Sequence, residues 1–568
     1  MLRTLLMGGT AALLTGCFAL PSPSEPDLAD QAGTQGTSGA QGPQGSQTAP
    51  PSKEEASRFL VQATFGANET DIETVQRQGF AAWIDAQTKM PAPSLLARID
   101  ATPEPNRHTL SDLFWSHAVD GEDQLRQRVA YALSQITVVS MRHEMFWGHP
   151  HTFAHYMDIL QRGAFGNYQD VVHEVSLSPA MGHYLSSLGN RKADEEHGYA
   201  PDENYAREVM QLFTIGLEEL RPDGTSTGRE TYTVEDIKGL ASVFTGLSWQ
   251  DTGFRWPKVE PHNRAKPMVS YDEYHEPGPK TFLGATIDVG TDAEASVRAA
   301  LDHLLSHDNL APFISKQLIQ KLVTSNPSGP YVARVGAAFE AGVFEADGRR
   351  FGEGRRGDLT ATVAAILLDE EARDARSAAR PDFGAVREPA LRFAQFARAF
   401  RDGDRLPTRG GVRDVGRMRY ADSHRVLGQS PYNPPSVFGF TRPDHKAQGG
   451  WSAQAGLVAP GLAMAGGVRT ASYIDLMAGS VTGERDDYAA FKPDYARYLP
   501  LTEEPGALVD ALDAVLTYGT LSDASRARIV EALDAVVIDE RDTEKDKRNR
   551  MHLAVLMMVT TPEYGVLR

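Results

Sequence analysis

The chain of 568 residues contains a single cysteine, Cys17, and this scarcity excludes several kinds of protein. One thiol cannot form a disulfide within the chain, and a zinc site built from thiolates needs more than one. No cysteine remains after Cys17 to act as a nucleophile. Stability must therefore come from a hydrophobic core, for which the chain is long enough.

Positive charge is also scarce. The chain has 57 Lys and Arg against 75 Asp and Glu, a formal net charge of -18. Nucleic-acid-binding proteins carry a basic face, and polybasic segments hold anionic lipid. Neither feature is present, so we expect no nucleic-acid partner and no membrane contact made by charge alone.

The first residues, "MLRTLLMGGTAALLTGCFALPS", predict export. Arg3 gives a short positive region, and Leu5–Leu14 is apolar but too short to span a bilayer. The following box resembles that of bacterial lipoproteins, in which the chain is cut before the cysteine. We therefore predict a signal peptide at residues 1–16 and lipidation of Cys17; Phe18 in place of Asp favours the outer membrane. The alternative is a plain secretory signal followed by a free thiol.

Residues 17–52 are predicted to form a disordered tether. They consist mainly of Pro, Gly, Ser, Gln and Thr, with little to bury. Within "GTQGTSGAQGPQGSQ" glycine recurs at every third position, which is the period of collagen. The run is brief, so we interpret it as a flexible spacer, with collagen-like trimerisation as the alternative.

Residues 53–568 show the helical period throughout. Apolar residues recur at helical spacing in "EEASRFLVQATFG", "EDQLRQRVAYALSQITVV", "TDAEASVRAALDHLLSH", "APFISKQLIQKLV", "REPALRFAQFARAF" and "RNRMHLAVLMMVTTPEY". Thr291 is predicted to cap the third of these helices. Strand signals are confined to "LEELRPDGTSTGRETYT" and "KTFLGATIDV". The predicted fold is mainly α: one large multi-helix domain with one or two inserted β-hairpins.

The stretch "YAPDENYAREVMQLFTIGL", residues 199–217, predicts an amphipathic helix with Pro201 in its first turn and Gly216 at its end. One arc is apolar, and the opposite arc carries Asn204, Arg207, Glu208, Gln211 and Thr214. By spacing alone, this polar row is what the solvated face of any surface helix shows.

Several stretches resemble one family. "ENYAREVMQLFTIGL" followed by "TYTVEDIKGLASVFTGLSW" is similar to the signature of DUF1800, a family of large bacterial proteins of unknown function. Further matches are "LVQATFGANETDI", "LRQRVAYALSQITVVS", "AFGNYQDVVHEVSLSPAMGHYLSSLGNRK", "HEPGPKTFLG", "RGDLTATVAAILLDEEAR", "LGQSPYNPPSVFGF" and "VTTPEY". The resemblance covers residues 53–568. It implies export and an exported partner of the DUF1501 family, whose members resemble alkaline-phosphatase-like enzymes. The family supplies no catalytic residues to carry over.

The resemblance includes the polar row as well as the apolar arc. If the helix packs on both sides, Arg207 and Glu208 are buried and need partners. Arg128, which flanks the apolar stripe of its own helix, is the partner we expect. The two interpretations left open are an internal ion-pair network and a lined cavity.

We predict no metal and no cofactor. His149, His151 and His155 are close in sequence, and His151 and His155 are four residues apart, as two ligands on one helix would be. A zinc site also needs a third ligand and supporting contacts, which this pattern does not establish. The acidic stretch 194–203 fits no calcium loop. Gly352, within "FGEGRRGDLT", begins a dinucleotide-like glycine spacing that no apolar strand precedes, and Asp358 there is expected to cap a helix.

Two functions remain. The first is a lipid-anchored surface or assembly protein of the cell envelope that acts with an exported partner. The second is an envelope hydrolase whose pocket combines Asn204, Arg207, Glu208 and His275. In it, Glu208 is the general acid or base, Arg207 holds an anion, and His275, from the rigid loop "YHEPGPK", carries a second proton.

Overall fold

Most of the chain is helical, as its apolar period predicts. The computed structural model describes residues 50–143, 146, 149–250, 253–254, 259–401, 408–409, 412–413, 426–483 and 491–568, without the side chains of 261–262, 408–409 and 412–413. All of them belong to one compact unit, Pro50–Arg568. The predicted signal peptide, Cys17 and residues 18–49 of the predicted tether lie outside this described part.

The helices of the first half carry the candidate site. They are the α-helices Lys53–Ala63, Glu69–Gln78, Phe80–Thr88, Leu95–Asp100, Arg107–Asp120, Gln124–Ser134, Pro150–Gly163, Tyr168–Ser176, Pro179–Tyr184, Asn204–Glu208 and Val234–Val243, together with the π-helix Val209–Thr214 and the 3-10 helices Pro261–Ala265 and Asp272–Tyr274.

The second half completes the helical core. Its α-helices are Ala293–Ser306, Leu310–Leu322, Gly329–Ala341, Leu359–Leu368, Glu370–Arg373, Ala375–Ala379, Pro389–Ala399, Gly450–Gln454, Gly467–Thr482, Pro505–Leu516, Asp523–Asp534, Thr543–Val559 and Pro562–Gly565, and its 3-10 helices are Pro460–Met464 and Leu499–Glu503.

Side-chain caps fix several of these helix starts. Asp358 accepts from the N–H of Ala361, so its predicted capping role is confirmed. The cap of helix Ala293–Ser306 is Asp292 and not Thr291, because the Asp292 carboxylate accepts from the N–H of Ala295. The observed cap lies one residue later than the predicted one. It places an ionised acceptor at the N-terminus of the helix, where the positive end of the helix dipole stabilises negative charge.

The described strands form two-stranded antiparallel pairs, so the mainly α prediction is confirmed. Both predicted hairpin stretches form pairs, Glu218–Leu220 with Ser226–Glu230 and Lys280–Phe282 with Ala285–Ile287. Four further pairs were not predicted: Leu247–Ser248 with Val269–Ser270, Phe344–Ala346 with Arg349–Phe351, Ala385–Val386 with Val566–Leu567, and Thr408–Arg409 with Val412–Arg413. Their strands of two or three residues are too short to show an alternating pattern.

The core centres on helix Gln124–Ser134, in which every residue from Gln124 to Leu133 is buried. Aromatic rings surround it: Phe114 meets Trp115, Tyr131 and Tyr432 with ring centroids 5.2, 5.7 and 5.2 Å apart. The contacts with Trp115 and Tyr432 are edge-on and the contact with Tyr131 is tilted, and all three add to the burial of apolar area. Burial on every side also encloses the polar side chains of this helix.

The hairpin at residues 280–287 packs on helix Val234–Val243. Gly239 lies against this hairpin so closely that a Cβ there would lie 1.8 Å from the carbonyl oxygen of Thr281. The absence of a side chain therefore lets helix and hairpin touch. This contact fixes the loop that precedes the hairpin, which contains His275.

Candidate functional site

The helix carrying the polar row begins at Asn204, later than predicted. The carboxylate of Asp202 accepts from the N–H of Asn204 at 2.8 Å. The helix starts after this local turn, with Glu203 as its N-cap, so Pro201 is not in the first helical turn. The predicted start at Pro201 is wrong.

After Glu208 the helix changes to a π-helix, Val209–Thr214, which the sequence pattern did not predict. The N–H of Ile215 donates to the carbonyl oxygen of Met210 at 3.0 Å, five residues back. Gly216, with φ at 72°, ends the segment as predicted. π-Helical turns are rare and frequently lie at functional sites. Gln211 of the polar row and its neighbour Leu212 are both half-buried.

Glu208 is the unusual member of the row. It is only 8% exposed, and its Oε2 atom is buried without a hydrogen-bond partner. Burial raises the pKa of its carboxyl group, and the charge of Arg207 opposes that shift. The environment therefore favours the neutral acid more than water does.

Two tyrosines, which the sequence reasoning missed, lie within electrostatic range of Glu208. Burial raises the pKa of Tyr232 to about 12; Arg207 lowers it and Glu208 adds to the rise. Burial also raises the pKa of Tyr184, and the Glu208 charge adds to this rise. Both residues lie in stretches quoted above, "TYTVED" and "AMGHYLSS", but an aromatic residue beside apolar neighbours gives no signal that separates a site from the core.

Arg207 is more exposed than packing on both sides would allow. Its side chain is 43% exposed and its Nη2 lies 3.2 Å from Oε2 of Glu203, one helical turn earlier. Such exposed pairs contribute about 0.3–0.5 kcal/mol. The expectation that Arg207 is buried is therefore wrong, whereas Glu208 is buried. Asn204 is half-buried.

His275 is buried, 3% exposed, and both ring nitrogens have partners. Nδ1 lies 2.9 Å from the carbonyl oxygen of Thr245, and Nε2 lies 3.1 Å from Oγ of Ser296. Since a carbonyl oxygen only accepts, Nδ1 carries the proton and Nε2 accepts from the hydroxyl group of Ser296. Burial lowers the pKa of the imidazole, which agrees with this neutral form. His275 thus ties its loop to helix Ala293–Ser306.

The four predicted site residues are only partly brought together. Asn204, Arg207 and Glu208 share one short helix. Within the described part of the chain, no hydrogen bond or ion pair joins His275 to Glu208. The catalytic roles assigned to these side chains stay predictions.

Arg128 is not the partner of Glu208. Its Nη2 donates to the carbonyl oxygen of Lys321 at 2.5 Å, and Glu388 is the carboxylate whose charge opposes the lowering of its pKa by burial. Its helix contacts helix Leu310–Leu322 here, where Arg128 reaches Lys321. Spacing along one helix cannot reveal which other helix lies opposite, so the predicted pairing of Arg128 with Glu208 is wrong.

Within the described ranges, no three His, Cys, Asp or Glu side chains are grouped so as to hold a metal ion. Of the three clustered histidines, burial lowers the pKa of His155 to about 4, and Nε2 of His151 lies 3.5 Å from Asp100. The helices of the described part include none with the length and apolar character needed to cross a membrane.

A second surface feature is the apolar segment 447–468, which contains no charged residue. Trp451, Leu462 and Val468 are 46%, 37% and 83% exposed. The segment is held in place by Asn326, whose amide donates to the carbonyl oxygen of Val458 and accepts from its N–H, both at 2.9 Å. Apolar side chains are therefore presented to solvent on an anchored backbone.

Comparison with known proteins identifies the family and nothing finer. No curated protein and no solved structure matches the chain. Residues 58–566 match the family described as "Protein of unknown function (DUF1800)". This range includes the π-helix, Glu208, His275 and the apolar segment 447–468. The match covers far more than half of the sequence, and the chain therefore belongs to the DUF1800 family.

Proposed function

We propose that this protein is a lipid-anchored protein of the bacterial cell envelope that works by docking an exported partner. The anchor is the acylated Cys17, the tether is residues 18–52, and the outer membrane is the expected location. The docking surface is the apolar segment 447–468. The partner is an exported protein of the DUF1501 type, encoded nearby.

The observation that carries the docking proposal is the exposure of Trp451, Leu462 and Val468 on an uncharged stretch. Large apolar side chains exposed together along one uncharged stretch of chain are candidates for an interaction site. Tryptophan is also enriched among residues that dominate binding energy at interfaces. A partner covering these three side chains removes apolar area from water, at about 25 cal/mol per Å².

The anchoring proposal is supported by the leader pattern and by the tether. The positive region, the apolar region and the box fall in order before Cys17. Acylation at two or more positions anchors stably, where a single chain binds only marginally. The tether of Pro, Gly, Ser and Gln then gives the folded body reach from the bilayer.

Co-purification tests the docking surface. Full-length tagged protein is recovered from detergent-solubilised membranes of the native host, and the DUF1501-type protein is quantified by mass spectrometry. We expect the double variant Trp451→Asp/Val468→Asp to lose the partner. The control Val289→Asp/Val537→Asp changes side chains that are 72% and 74% exposed elsewhere and should retain it. Equal recovery in both variants would rule out this surface.

Glu208 favours a second candidate, proton transfer in an envelope hydrolase. Its carboxyl group is buried with an unpaired oxygen, its pKa is raised, and a π-helix begins at the next residue. A general acid must hold its proton before the reaction, and a raised pKa shifts a carboxyl group toward that protonated form. Tyr184 and Tyr232 would be its neighbours in that reaction.

Complementation distinguishes a catalytic role of Glu208 from a purely structural one. Variants Glu208→Ala and Glu208→Gln are expressed in a strain lacking the gene, and folding is followed by circular dichroism. Folded variants that fail to restore the wild-type phenotype would favour the proton-transfer candidate. Unfolding of Glu208→Ala would favour a structural network, and full restoration by both folded variants would rule out catalysis at Glu208.

A further inference from the structure

A partly enclosed cavity of about 50 Å³ lies where the end of helix Leu310–Leu322 meets the start of helix Pro389–Ala399. Its charged lining residues are Arg128, Lys321, Arg387 and Glu388. We call it the basic cavity. Three cations and one carboxylate give this small space an excess of two positive charges, which is costly where water is scarce.

The single carboxylate does not neutralise these cations by direct pairing. Oε2 of Glu388 accepts from the hydroxyl of Tyr131 at 2.7 Å and from the side-chain amides of Gln429 and Gln135 at 2.5 and 3.3 Å. All three donors are neutral. Among the described residues, no ion pair joins Glu388 to Arg128, Lys321 or Arg387. The positive charge therefore remains available to a ligand.

Hydrogen-bond donors are available as well. Arg128 is 2% exposed, and its Nε atom is buried without a partner. Nζ of Lys321 donates to Oε1 of Gln135 at 2.9 Å, and an ammonium group has three N–H bonds. Arg387 is 6% exposed and makes one long side-chain bond, from Nη1 to the carbonyl oxygen of Tyr564 at 3.3 Å. A buried unpaired donor is costly, and an acceptor from a ligand removes that cost.

Burial disfavours the charged forms of two cations in the basic cavity, Lys321 and Arg128. Burial lowers the pKa of the Lys321 ammonium group, and Glu388 opposes this while Arg128 adds to it. Burial also lowers the pKa of the Arg128 guanidinium, again opposed by Glu388. A bound anion would counter both effects.

We propose that the basic cavity is a binding site for a small dianionic oxyanion, with inorganic phosphate or sulfate as its simplest form. The charge of such an ion matches the excess of two positive charges. Arginine and lysine are the side chains that recognise tetrahedral oxyanions in proteins. By the volume that one water needs, the cavity has room for roughly three to five waters, which is about the space of one such ion.

The basic cavity is separate from the proposed docking surface but lies next to it. Pro460 and Gly461, both in the apolar segment 447–468, also line the basic cavity. Gly461 approaches closely: a Cβ there would lie 2.3 Å from the carbonyl oxygen of Val386. Anion binding can be measured without any partner protein, so failure of the docking proposal leaves this test intact.

Equilibrium dialysis with radiolabelled inorganic phosphate tests the proposal on the full-length protein in detergent micelles. We expect saturable binding of one phosphate per chain, competed by sulfate and not by acetate at the same ionic strength. The variant Lys321→Gln should weaken binding by about tenfold or more. No saturable binding, or acetate competing as well as sulfate, would overturn the assignment.

Two further variants separate binding from folding. Lys316 lies on the same helix as Lys321 but outside the basic cavity, and its ammonium group donates to the carbonyl oxygen of Gly224 at 3.0 Å. The variant Lys316→Gln should therefore bind phosphate as the wild type does. Glu388→Gln removes the only negative charge of the cavity and should tighten binding by about tenfold. Weaker binding in Glu388→Gln, or an equal loss in Lys316→Gln, would contradict the proposal.

Discussion

Replacing Glu208 with methionine should stabilise the protein at neutral pH. The substitution keeps a similar volume and removes a carboxyl group that is 8% exposed with Oε2 unpaired. A buried polar atom without a partner costs about 1–3 kcal/mol, and more when the group is charged. We therefore expect Glu208→Met to raise the free energy of unfolding by about 1–3 kcal/mol at pH 8.

The pH dependence follows from the direction of the pKa shift. Burial raises the pKa of Glu208 above its ordinary value of 4.5, so the folded state binds a proton more tightly than the unfolded state. Stability is then lost as pH rises from 4.5 through the raised pKa, and the loss persists above it. The gain from Glu208→Met should shrink as pH falls toward 4.5 and below, because both states then become increasingly protonated.

Urea unfolding of the full-length protein, followed by tryptophan fluorescence at pH 5 and pH 8, measures this gain. Glu203→Met is the matched control, since Glu203 lies five residues earlier, just before the same helix, and its side chain is 36% exposed. The control should change stability by less than about 0.5 kcal/mol. If Glu208→Met destabilised the protein by more than about 1 kcal/mol at pH 8, Glu208 would be a paired structural group and the reasoning would be wrong.

Three further outcomes are expected. Arg398→Leu should destabilise the protein by about 3–5 kcal/mol in thermal or urea unfolding, because Arg398 is 1% exposed and its Nη2 lies 2.6 Å from the carboxylate of Asp71, which loses its cation. Gly239→Ala should destabilise by more than about 1 kcal/mol because its Cβ meets a backbone oxygen, whereas Gly565→Ala, with open space around it, should change little. Cys17→Ala should move the protein from the membrane fraction to the soluble envelope fraction.

The helices were predictable because their causes are local. The buried face of helix Thr543–Val559 follows from its own apolar run, and Asp358 caps its helix by reaching only three residues ahead. The two predicted hairpin stretches likewise contain turn glycines between their strands. Helices, caps and hairpins that depend on one segment alone could therefore be predicted from the sequence.

The candidate site depends on what segments do together, which no single segment reveals. Arg128 contacts Lys321 and lies within electrostatic range of Glu388, both far along the chain, so its position on an apolar helix could not disclose these neighbours. The π-helix after Glu208 has no pattern of its own, because its residues are equally compatible with an α-helix. The contacts of His275 with Thr245 and Ser296 join separate segments of the chain, so its own loop could not disclose them.

The central claim is that this helical protein is fixed to the bacterial envelope through Cys17. Mass spectrometry of the N-terminal peptide, taken from the membrane fraction of the native host, tests it most directly. We expect the mature chain to begin at Cys17, with a mass increased by acyl groups. Unmodified peptides that still contain the leader, recovered as the main form of the mature protein, would contradict the account.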